Sequence, residues 1–309
     1  MPGAYAHITL VNLCKETQRL KGAKLPSSLC LALTQNFKYC ELGAVSPDYP
    51  YLKLGDGGAR TWADNMHYTE VTALIVALAN RVAALTARSR RIGLTWLLGY
   101  VAHVAADMTI HPVVELKVGP YKGHETAHRI CEMHQDAHIY KERMNLGGIG
   151  QAEHLDSGIA QCVDPNGDLS AVVSDLWRGA LEEIFPAEYA ANEPKPDAWH
   201  SSFGLILDNF AEEGGKLPAF ARHVAADCGL MYPEYEEVEQ QYIRNIKIPR
   251  GTGSYDEVFD HAIKSVLWAW GDVARLLEDP RGSHIATQKG WNLDTGRDDS
   301  GQLVFWRAP

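Results

Sequence analysis

From Leu94 to Val104 nearly every side chain is apolar or small, a pattern with no polar face that predicts a helix buried on all sides. Polar groups enter only at four-residue steps, as His103, Asp107 and His111. Four residues carry a helix about 40° past a full turn, so these three share one stripe. A second helix is expected from about His124 to Met144, where His128, Glu132 and Asp136 recur at the same step and Gly147, Gly148 and Gly150 close it. Helical periodicity also predicts a short helix within residues 1–22 and helices over 25–40, 69–87, 169–185, 199–213, 217–230 and 254–278. Between them lie a proline-bound turn from Gly43 to Tyr51, a loop at Gly55–Arg60, a solvated basic linker at Arg88–Arg91 and a loop from Pro112 to Gly123. Sheet-type alternation is missing. The expected fold is therefore all-α, a multi-helix bundle ending in a short hairpin or packed extension around Asn292–Trp306. One helical domain over 1–309 is expected: a metal-ligand half in 1–150, supporting helices in 151–280 and the extension in 281–309.

Composition narrows the function. A 309-residue chain with 46% apolar residues can bury a large core, and a net charge of −10 argues against generic binding to duplex nucleic acid. Six cysteines are scattered without a CxxC pair and the chain opens without a signal-peptide pattern, so a cytoplasmic location is expected. The longest apolar run, Val71–Ala87, falls about one turn short of the roughly 20 residues of a membrane span, so no transmembrane segment is expected.

Imidazoles and carboxylates on an apolar helix need partners, and a divalent cation satisfies several at once. A lone histidine in such a helix is more often an ordinary core residue; three in register, faced by a second such helix, make a multi-ligand cage. His7 near the start, Asp48 on the proline turn and His67 at a helix entrance are further candidates. On the second helix His134 and His138 form an alternative pair about 200° from Glu132, and we prefer His128 with Glu132. Asp136 is expected to hydrogen-bond a ligand histidine; the plain reading of Asp64 is a cap of the 69–87 helix, and the tryptophans read as core, with a wall of the pocket as the alternative for Trp62. Arg222–Asp227 echoes the His103–Asp107 sequence and is taken as coincidence.

The ordered set Pro47-Asp48, His67, His103-x-x-x-Asp107-x-x-x-His111 and His128-x-x-x-Glu132 resembles the zinc-dependent phospholipase C family. Its pattern is nearest the catalytic domain of glycosylphosphatidylinositol-specific phospholipase D and is similar at longer range to the S1/P1 nucleases. The resemblance implies a helical fold around two or three zinc ions. Asp48, His67, His103 and Asp107 would hold one ion, His111, His128 and Glu132 a second, and His7 with the bridging Asp107 a third. Secreted relatives use the free amino terminus at that third ion, whereas His7 lies several residues into this chain. Iron or manganese would also fit the donor set. The expected activity is metal-dependent hydrolysis of a small-molecule or lipid phosphate ester, with Asp48 orienting or deprotonating the attacking water. Alternatives are an S1/P1-like nuclease or nucleotide phosphatase and, on the single Glu125-x-x-His128 spacing, a di-iron protein of oxygen chemistry.

Overall fold

The computed structural model describes residues 3–53, 55–144, 158–203 and 232–307. Its centre is α6, Ala87–Val118, a helix about 48 Å long at 1.5 Å per residue. From Thr95 to Val114 every residue of α6 is buried, which is why its sequence carries no polar face. By length and hydropathy α6 would pass for a membrane span, but its apolar stretch lies wholly inside the fold. The sequence had placed the longest apolar run in the neighbouring helix.

Around it pack α1 (Ala4–Cys14), α3 (Ser27–Val45), α5 (Val71–Ala84) and α7 (Glu125–Ile139), joined by α2 (Thr17–Gly22) and α4 (Gly57–Tyr68). The second half adds α8 (Ala171–Ile184), α9 (Pro186–Ala191), a helical stretch over 196–203 and the long α10 (Tyr255–Glu278). The fold is all-α, and the one sheet among the described residues is a hairpin of β1 (Ile246–Ile248) and β2 (Gly251–Gly253), paired Ile246 to Gly253. Ser254 and Glu257 form a reciprocal capping box that starts α10.

Two glycines set the key packing. A Cβ on Gly99 would lie 2.0 Å from the Cys40 carbonyl, and one on Gly43 would lie 2.1 Å from that of Trp96. Only glycine on both helices lets α3 and α6 touch backbone to backbone.

Several sequence boundaries differ. Gly55–Arg60 is not a loop: the Asp56 side chain accepts the Ala59 amide and caps α4 from Gly57. The basic linker is the first turn of α6. The chain does not leave the helix at Pro112 but continues to Val118, with Pro112 inside it. The second ligand helix ends at Ile139 in a wide turn, Tyr140–Met144. The expected glycine stop at 147–150, the 222–227 echo, most of the 199–213 helix and all of the 217–230 helix fall outside the described residues.

The tail is a packed extension rather than a hairpin. Asp272, fully buried in α10, accepts from the Ser283 hydroxyl and the amides of His284 and Ile285, and so turns the chain back. Isolated bridges then join Asn292 to Arg297 and Arg297 to Leu303.

Candidate metal centre

Five elements meet at one buried point. α1 brings His7, the 3-10 turn Ser46–Leu52 brings Asp48, the end of α4 brings His67, and α6 brings His103, Asp107 and His111. His128 and Glu132 face them from α7.

Backbone carbonyls fix the imidazoles. Nδ1 of His67 lies 2.7 Å from the Ala63 carbonyl, and Nδ1 of His103 lies 2.9 Å from the Ala44 carbonyl. A carbonyl only accepts, so both rings carry a proton at Nδ1 and present Nε2 as a lone pair. Those two Nε2 atoms nevertheless face each other at 3.3 Å. Two facing lone pairs in a dry interior repel unless a proton or a cation lies between them. The Ala44 contact exists because Gly43 and Gly99 let α3 reach α6.

Ligand atoms of Asp48, His67 and His103 lie within 4.8 Å of one another, as do those of His7, His103 and Asp107. His103 Nε2 is 3.3 Å from Asp107 Oδ2, and His7 Nε2 is 3.3 Å from Asp107 Oδ1. The His7 ring also stacks on that of His103 at 4.2 Å. Neither oxygen of Asp107 and neither ring nitrogen of His7 makes a hydrogen bond, although all are buried. Burial pushes both Asp48 and Asp107 upward, but the imidazoles outweigh it: His103 and His67 hold Asp48 below its ordinary value, and His103, His111 and His7 hold Asp107 well below it.

Beside this cluster, Glu132 Oε1 lies 3.8 Å from His111 Nε2 and 3.9 Å from His128 Nδ1. His111 donates through Nδ1 to the Leu293 carbonyl at 2.6 Å, leaving a buried Nε2 without a hydrogen bond. His128 donates through Nε2 to the Gly119 carbonyl at 2.7 Å, so its Nδ1 faces inward. Burial lowers the pKa of His111 and keeps its inward nitrogen available as a donor pair.

The remaining sequence candidates lie elsewhere. His134 stacks on Tyr242 and accepts the Glu239 amide, and His138 pairs with Asp256 at 2.9 Å, both on another face of α7. Asp136 does not bond a ligand histidine. It accepts the Ala6 amide at 3.2 Å and the Tyr232 hydroxyl at 3.1 Å, because the first turn of α1 packs directly on it. Asp64 lies inside α4 and accepts from the Tyr51 hydroxyl at 2.8 Å instead of capping α5. Trp62 is core, its indole donating to the Asn192 carbonyl at 2.8 Å. Glu125 folds back on the Gly123 amide at 2.9 Å, which removes the Glu-x-x-His pair from the centre.

Three tyrosines unforeseen from sequence border the cluster: Tyr51 and Tyr68 beside His67, and Tyr121 edge-on to His128. Leu293, about 160 residues along the chain from Glu132, was also missed, since it acts through backbone atoms that carry no side-chain signature.

The donor set of imidazole and carboxylate without thiolate, with orphaned buried Nε2 and carboxylate atoms turned inward, fits zinc. A family model described as zinc dependent phospholipase C matches residues 6–186, which include all eight of these residues. No curated protein and no solved structure matches the chain.

Proposed function

The chain belongs to the zinc-dependent phospholipase C family of metal-dependent phosphoester hydrolases, and on that footing we propose that it is a phospholipase C-like phosphodiesterase. The observation that carries this reading is the pair of Nε2 atoms on His67 and His103, held 3.3 Å apart beside the unbonded Asp107 carboxylate. Asp48, His67, His103 and Asp107 would hold one ion, with His7 and Asp107 supporting a neighbour and His111, His128 and Glu132 another. Zinc in such a site lowers the pKa of water towards neutrality and offsets the charge of a phosphate ester.

The protein's own part in the reaction starts with Asp48. Its side chain is 17% exposed, while those of His7, His67, His103 and Asp107 are 0% exposed, so Asp48 is the member of this cluster that reaches the solvent side. Held ionised by His103 and His67, it accepts a hydrogen bond from the attacking water and orients it towards phosphorus. The buried imidazoles exclude bulk water behind it. The half-exposed Tyr121 beside His128 favours one further reading, a nuclease in which a base stacks on that ring.

The test begins with elemental analysis of protein purified without added metal, alongside Asp107→Asn and His128→Ala. Two or three equivalents of zinc, reduced in both variants, are expected, together with faster hydrolysis of a chromogenic phosphodiester than of a phosphomonoester. Faster cleavage of a single-stranded oligonucleotide would select the nuclease. Iron with a visible absorption band, or no metal with both variants folded like the parent, would sink the proposal.

A further inference from the structure

The family match ends at residue 186, yet the centre is not closed by the matched region. Residues 288–306 run back across α4, α5 and α6. The Thr72 hydroxyl donates to the Gln288 carbonyl at 2.9 Å, and the Trp306 indole donates to the Thr109 carbonyl at 2.8 Å. Between these anchors, Leu293 makes two backbone bonds to the cluster. Its amide donates to the carbonyl of His67 at 3.0 Å, and its carbonyl accepts from Nδ1 of His111 at 2.6 Å.

Resting on the zinc reading above, we infer that this C-terminal segment is a working part of the metal centre, with Leu293 the positioning residue for His67 and His111. The carbonyl of Leu293 dictates which nitrogen of His111 carries the proton. Without it, a buried imidazole with no other partner at Nδ1 is free to place its proton on Nε2, where it cannot ligate. The amide of Leu293 holds the last turn of α4, and with it the His67 ring.

Two features tune the seat. Pro112 has no N–H, so the carbonyl of Met108 receives no helix bond from that position. Gly296, at φ +64°, covers this carbonyl so closely that a Cβ would lie 2.5 Å from it and 2.4 Å from the Pro112 ring. At the far end the Trp306 ring packs on His261 at 4.4 Å, and His261 Nε2 bonds the Phe305 carbonyl at 2.7 Å. The proline of α6 and the glycine of the tail thus fit one another, three residues from Leu293.

The proposal is tested by zinc affinity in chelator competition and by the visible spectrum of the cobalt-substituted protein, for Gly296→Ala and Trp306→Phe. Trp270→Phe is the control, because Trp270 also donates its indole to an α6 carbonyl, that of Leu98 at 2.8 Å, but belongs to α10. Loss of partners behind metal ligands weakens binding about 10–100-fold. Both tail variants are expected to bind zinc about tenfold more weakly with a shifted cobalt spectrum, while Trp270→Phe loses melting temperature without either change. If Gly296→Ala fails to fold, Trp306→Phe carries the test. Parent-like affinity and spectrum in the folded tail variants, or equal weakening in Trp270→Phe, would overturn the positioning role. A parent that binds no metal would instead overturn the zinc reading, and the positioning role with it.

Discussion

Asp48, on the solvent side of the cluster, and Asp136, buried behind it, are driven in opposite directions by their surroundings. The imidazoles facing Asp48 keep it ionised, so Asp48→Asn removes an acceptor that is present across neutral pH. Loss of a positioned acid–base group costs about 10²–10⁴ in rate. We expect kcat to fall by that order with the circular dichroism of the parent retained, measured on zinc-loaded protein. Burial, with a smaller push from the Glu132 carboxylate, drives the Asp136 carboxyl up to about 8. Its unfolded value is about 3.9. The folded state therefore holds this proton more tightly, and the stability it contributes is complete below about pH 4 and is lost as pH rises towards 8. In zinc-free protein, urea unfolding at several pH values should show a decline between pH 5 and 8 that is shallower in Asp136→Asn, by up to about 1.4 kcal/mol per pH unit. An identical slope in both proteins would contradict that assignment.

At the scale of elements, the contact that orients His103 depends on two residues with no side chain. Gly99→Ala places a Cβ against the Cys40 carbonyl, so α3 and α6 must separate and the bond from His103 to Ala44 lengthens. Overpacking of this kind costs about 1–3 kcal/mol. We predict a lower urea midpoint and, from the freed ring, weaker zinc binding in the same variant; unchanged affinity at reduced stability would separate packing from positioning. The helices themselves were legible because burial leaves a periodic trace: the all-apolar run of α6 and the four-residue steps of His103, Asp107 and His111 are direct consequences of its central place. Their ends were not. Pro112 signals a stop locally, but Gly296 of the tail covers the Met108 carbonyl that Pro112 leaves unbonded, and the helix runs on to Val118. Gly55, Gly57 and Gly58 read locally as a loop, whereas the Asp56 side chain accepts the Ala59 amide and starts α4 at Gly57. The role of Asp136 was misread for a related reason: its position on α7 is visible in the four-residue pattern, whereas the approach of the α1 amide is a tertiary event. Leu293 lay beyond sequence reasoning altogether, because any residue can offer a carbonyl.

For the whole molecule, the cluster joins elements that the chain delivers from residue 7 to residue 132, with a further tie from residue 293. A cation shared among them would link these helices and satisfy the buried atoms of His7, Asp107 and His111 that lack hydrogen bonds, so its binding would also be folding free energy. A ligand that binds only the native state stabilises it by about 2.7 kcal/mol at 100 times its dissociation constant. For a chain of this length that corresponds to a rise of several degrees in melting temperature. We expect chelation to lower the melting temperature by this order at pH 7.5. The gap should narrow in Asp107→Asn, which removes the carboxylate shared between His7 and His103. It should also narrow at pH 5, where protons compete with the metal for the histidine nitrogens. A gap that is the same at both pH values and in both proteins would mean that the metal binds outside this cluster. If the gap closes in both cases, one arrangement of groups accounts for the stability of the fold and for its capacity to hold zinc.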